Sequence, residues 1–216
     1  KGYTNNLSIT GGSGSGSDLS FSISWDNSWN VSTVPYNYDA VWVFAKYQDC
    51  ANPTVWLPVT FDNTAVHTIT GGVLQVDPVT DGLGVFIRRI GAGTGNIAAS
   101  NASLLMTIPA GTFNFRVFGV EMVSVEQANV NVGDIGGCAA ASGFLDYTIT
   151  AGIQAGGIPA AALRAGSLAV PALYPMGYNA FYCMKHEISQ EQYVGFLNTL
   201  TYDQQAARTV VPPSVV

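Results

Sequence analysis

The chain has 216 residues, of which 48% are hydrophobic and only 10% charged, with a formal net charge of −6. So much apolar content supports a sizeable core and excludes a disordered chain, which needs low hydrophobicity and high net charge; the charged share is well below the roughly 25% of an ordinary soluble domain. The eight basic residues form no stripe or cluster and no apolar run reaches the ~18 residues of a membrane span, so neither nucleic acid, nor an anionic lipid surface, nor a membrane span is expected.

Polarity is carried by Gly, Ser, Thr and Asn, the balance of a β-rich secreted protein or of a subunit covered by its neighbours, so an extracellular or cell-surface location is expected. The sequence opens at Lys1 without the basic-then-apolar run of a signal peptide, as a processed end would. Residues 5–9 read as a short strand, followed by GGSGSGS at 11–17, either a flexible tether for that strand or a long hairpin loop. Next, Leu19, Phe21, Ile23 and Trp25 alternate with three serines, the period of a half-buried strand. Residues 26–38 read as loop. The run AVWVFAKY at 40–47 is apolar on both parities and suits a central strand buried on both faces.

Residues 55–61 form a further strand with an edge or bulge at Pro58. Strands at 66–69 and 73–76 flank Gly71-Gly72, a hairpin turn. Residues 84–90 are a strand and 91–95 a loop; strands at 103–108 and 112–120 flank Pro109-Ala110-Gly111. About eight strands with turns between them and no helical period predict an antiparallel β-sandwich over 1–118, with 1–17 as its tethered strand. The four tryptophans are read as core, except that Trp29, in the polar loop, could stack on a sugar ring.

From Glu121 a different, α+β unit is expected over 119–216. Short strands fall at 122–125 and 130–132, and an apolar, charge-poor stretch spans 136–175, with a strand at 146–149 and a helix at 160–168. A loop of that length is unusual unless it is packed or functional. Ser189 with Gln192, and Thr201 with Gln204, are capping boxes that open two short helices. Tyr193, Phe196, Leu197 and Leu200 lie on one face of the first, and Arg208 suits the C-terminal end of the second.

Two blocks here resemble the formylglycine-generating-enzyme (sulfatase-modifying-factor) domain. The first is EMVSV at 121–125 with Asn131-Val132-Gly133, similar to the family's opening strands, although Glu126, Gln127 and Ala128 replace its usual Pro-Gly turn. The second and closer is FYCMKHEISQEQYVGFLN at 181–198. The likeness covers about 50 residues, a third or less of such a domain, and the layout is similar to secreted bacterial proteins that place a β-sandwich before it. The resemblance implies oxidase chemistry carried by cysteines and metal-binding residues of the family's C-terminal portion; nothing in this chain corresponds to them, so no catalytic residue is assigned and no enzyme is expected.

Other chemistry finds no support in the spacing. Lys185-His186-Glu187 reads as a solvated cluster at a strand end, and His67 is the only other histidine. The glycines at 91–95 have the look of a nucleotide loop but lack its lysine and following helix. Asp77, Asp81, Asp134 and Asp146 are loop oxygens of the kind calcium takes, without a loop spacing that defines a site, so no cofactor is expected. Cys50, Cys138 and Cys183 fit either three reduced thiols or one disulfide and an odd thiol that pairs between subunits.

Three functions remain. The foremost expectation is a non-catalytic, self-assembling subunit of an extracellular filament or surface layer, polymerising with itself head to tail by strand addition, with Leu7, Ile9, Val210, Val211, Val215 and Val216 at the joints. The alternatives are a part of a formylglycine-generating-enzyme-type protein and a carbohydrate-binding β-sandwich module.

Overall fold

A computed structural model describes residues 6–132, 147–162 and 168–209. The chain is mainly β, as its periodicity predicts. In chain order the strands are β1 (Ser8–Ser15), β2 (Asp18–Asn30), β3 (Tyr38–Asp49), β4 (Leu57–Pro58), β5 (Thr60–Phe61), β6 (Thr68–Ile69), β7 (Leu74–Pro78), β8 (Val85–Arg89), β9 (Gly93–Thr107), β10 (Phe113–Val125), β11 (Val130–Val132), β12 (Tyr147–Ile149) and β13 (Phe181–Met184), followed by helices α1 (Gln190–Leu197) and α2 (Tyr202–Ala206). They form two compact units, Lys1–Val123 with Cys183–Val216, and Ser124–Tyr182.

The first unit is a curled antiparallel sheet folded into two layers. In one layer β2 lies between β1 and β9, and β9 also pairs with β5 and β6; in the other β3 lies between β8 and β10, with β4, β7 and β13 outside. The layers meet at a corner where β2 pairs with β3 only at Asn30 and Tyr38. Leu19, Phe21, Ile23 and Trp25 of β2 face Val41, Val43, Ala45 and Tyr47 of β3 across the core, joined by Val85, Ile87, Leu104 and Met106. Alternate positions thus point inward on both strands. The outer face of β3 differs from the expectation of burial on both sides: Trp42, Phe44 and Lys46 are only half-buried.

Non-local pairing corrects several local readings. The Gly-Ser run is a strand, not a tether: β1 pairs with β2 as a hairpin, Ser15 opposite Asp18. Gly14 serves close approach, since a Cβ there would lie 2.3 Å from the Phe115 ring of β10. The strand expected at 55–61 is cut at Pro58, which lacks an N–H for the ladder; β4 pairs with β3 and β5 with β9, so the chain changes layers there. Gly71-Gly72 likewise joins β6, paired with β9, to β7, paired with β8, rather than closing a hairpin. The glycines at 93–95 open β9 rather than standing in a loop.

The strands expected at 112–120 and 122–125 are one continuous strand, β10, which runs to Val125 because Val120, Met122 and Val123 continue a β-competent sequence without a breaker. Pairing beside it, β13 leads into α1, whose Ser189–Gln192 capping box is formed in both directions, as is that of Thr201 and Gln204 at α2.

The second unit has a small ladder of β11 and β12 and a cluster of Ile149, Ile158 and Met176, with Val132, Tyr147, Val170 and Tyr178 against it. The helix expected at 160–168 is a single 3-10 turn, Ala160–Ala162, with 163–167 outside the described residues.

Candidate functional site

Two features of the first unit go beyond ordinary core packing, an aromatic groove and a buried charge cluster. The groove follows from the outer face of β3. Trp42, Phe44 and Lys46 form its floor, and Phe86 lies opposite Trp42 in the ladder with β8. Phe118 of β10 stacks on Phe44 with ring centroids 4.9 Å apart, and Phe196 of α1 meets both rings edge-on at 6.3 Å. Leu83, Met184, Ile188 and Tyr193 complete a cleft of about 620 Å³, within the size range of small-molecule sites.

Among the described residues its polar groups are Lys46, Asp81, Gln192, the Tyr193 hydroxyl and the Trp42 indole N–H. Lys46 donates to the Thr199 carbonyl at 3.1 Å and lies 5.3 Å from the centre of the Phe196 ring. Burial, and secondarily the charge of Arg208, lower its pKa. Asp81 accepts the Leu83 N–H in a local turn. Among the described residues the lining assembles no nucleophile with an adjacent base.

The charge cluster is centred on Asp39, 2% exposed and in register with the inward side chains of β3. Its Oδ1 accepts from Ser28 Oγ at 2.8 Å and the Trp29 backbone N–H at 2.9 Å; its Oδ2 accepts from the Trp25 indole at 3.0 Å. Arg89 donates in turn to Ser28 Oγ at 3.0 Å. Lys185 reaches in from the segment after β13, its Nζ 3.6 Å from Asp39 Oδ2 and 4.4 Å from the centre of the Trp29 ring.

Lys185 is therefore not part of a solvated cluster: its side chain is 13% exposed, while His186 and Glu187 do face solvent. Sequence reading missed both ends of this pair. Asp39 carried a signal, since it shares the parity of Val41, Val43 and Ala45; Lys185 carried none, because its partner lies 146 positions away along the chain.

The other singled-out residues scatter. Leu7, just before β1, and Ile9 within it pack against the core, and Val210, Val211, Val215 and Val216 lie outside the described residues. Trp29 gives its N–H to Asn37 and a ring face to Lys185. His67 accepts the Leu105 N–H through Nδ1 at 3.0 Å, and burial lowers its pKa. Asp77 is taken by Arg88 and Gln75, and Asp134 and Asp146 lie outside the described residues. Among the described residues no three metal-ligating side chains gather. Cys50 and Cys183 are exposed free thiols, and Cys138 lies outside the described residues. Comparison with protein-family models, curated proteins and solved structures finds no match.

Proposed function

We propose that the chain is the sandwich and opening portion of a formylglycine-generating-enzyme-type protein, non-catalytic by itself, with the β-sandwich as the platform for that domain's first strands and helix. One observation carries the reading. The 121–125 strand of the first block and the opening strand of the second are far apart in sequence but neighbours in one sheet: β13 pairs with β10, and the Lys185 N–H donates to the Glu121 carbonyl at 2.9 Å. Two segments of one ancestral unit are expected to meet in this way, whereas chance likenesses have no reason to. The test is the reading frame beyond Val216. Continuation into a cysteine-bearing catalytic segment is the expected result, and a stop codon directly after Val216 overturns the reading.

The open aromatic groove favours a second reading, the self-assembling extracellular subunit, because an apolar cleft on a chain this poor in charge suits burial against a neighbour. In that case the groove, rather than β1, is the joint, since β1 is already paired within its own chain. Negative-stain microscopy and sedimentation at high concentration test it. Ordered polymers that are lost on Phe118→Ser are expected, and monomers throughout overturn it.

A further inference from the structure

We propose that Lys185 and Asp39 condense to an intramolecular isopeptide bond, a covalent cross-link between β3 and the segment after β13. The Lys185 ammonium is buried, and among the described residues no acceptor lies within hydrogen-bonding reach of Nζ. An ammonium has three protons to donate, and buried polar groups are as a rule satisfied, so an unserved one requires a reason. As an ordinary ion pair the arrangement is poor: at 3.6 Å the amine is close to Asp39 Oδ2 but not bonded to it. As the two halves of an amide it is well placed.

The donors around Asp39 divide in the way the reaction needs. Oδ1 receives the Ser28 hydroxyl and the Trp29 N–H, and Ser28 is itself polarised by Arg89. Two donors on one oxygen stabilise the negative charge that develops there when a nucleophile adds to the carboxyl carbon. Oδ2, facing the amine, is the oxygen that leaves, with the Trp25 indole N–H beside it. The reaction begins with transfer of a proton from Nζ to Oδ2, 3.6 Å away, which frees the nitrogen lone pair. The Nζ lone pair then attacks Cγ, the N–C bond forms, the Cγ–Oδ2 bond breaks, and Oδ2 departs as water with a second proton from nitrogen. The balance is amine plus acid to amide plus one water, with no oxidant, reductant or co-reactant. Held on β3 and on the segment directly after β13, the groups meet without the entropy cost of an encounter.

The experiment is the intact mass of the denatured, reduced chain, followed by sequencing of its proteolytic peptides. The expected mass is that of the sequence less one water, with a branched peptide joining the segments that contain Asp39 and Lys185. Lys185→Arg, which keeps the charge but lacks the reactive amine, is expected to restore the full sequence mass. Asp39→Asn is expected to lose one ammonia instead of one water, since the same attack then expels the amide nitrogen. The full sequence mass in the folded wild-type chain, or a loss of water that maps to another pair, overturns the proposal. The wild-type measurement decides even if neither variant folds.

Discussion

Phe196 is the side chain through which the first helix reaches the sheet. It touches the rings of Phe44 and Phe118 and lies beneath the Lys46 amine, yet it is only half-buried because the groove is open beside it. Full burial would make Phe→Ala cost 3–5 kcal/mol; half of that, about 2 kcal/mol, is expected for Phe196→Ala, read as a lower urea midpoint at unchanged slope. Gly119 sets a limit of the opposite kind. A Cβ there would lie 2.6 Å from Ile9 Cδ1 and 3.1 Å from Val41 Cγ1, so Gly119→Ala is expected to cost about 1–3 kcal/mol through overpacking, checked in the same titration. Phe196 was legible in the sequence because a helix brings residues three and four apart onto one face. Gly119 and Lys185 were not, since what each meets is decided by strands distant in sequence.

At the scale of elements, local chemistry was readable and pairing was not. Both capping boxes form as their spacing predicts, because a cap is made within four residues by a side chain and a neighbouring N–H. Neither helix buries a residue completely, so each depends heavily on its cap. Ser189→Ala is expected to weaken α1 by about 1 kcal/mol, seen as faster amide exchange at residues 191–194 with little change in the sandwich. Equal loss of protection across β2 and β3 would show instead that α1 and the sandwich unfold together. The layer change between β4 and β5, and the joining of β6 and β7 to different partners, left only Pro58 and a glycine pair as traces. Those residues announce a break but not which strand the chain meets beyond it. The groove was hidden for the same reason. AVWVFAKY gives two apolar faces, and only the tertiary arrangement shows that one of them is half covered.

Over the whole molecule, acid sensitivity follows from the same burial that stores the core. His67 lies beside Phe61 and uses its Nδ1 as an acceptor for the Leu105 N–H, a bond that requires the neutral ring. Burial lowers its folded pKa below the ordinary 6.5, against a smaller opposing pull from Asp62. The unfolded chain therefore binds a proton at His67 before the folded chain does, and stability falls as pH drops below about 6.5, levelling only beneath the folded pKa. Asp62, held low chiefly by the Thr64 hydroxyl, acts in the same direction at more acid pH, because its folded carboxylate resists the proton that the unfolded one accepts. Melting temperature is thus expected to be flat from about pH 8 to 6.5 and to decline below that. His67→Gln, which keeps an acceptor for Leu105 but cannot titrate, is expected to remove the first part of the decline and leave the more acid part in place. An unchanged profile in that variant would move the origin of the acid limb from His67 to the carboxylates.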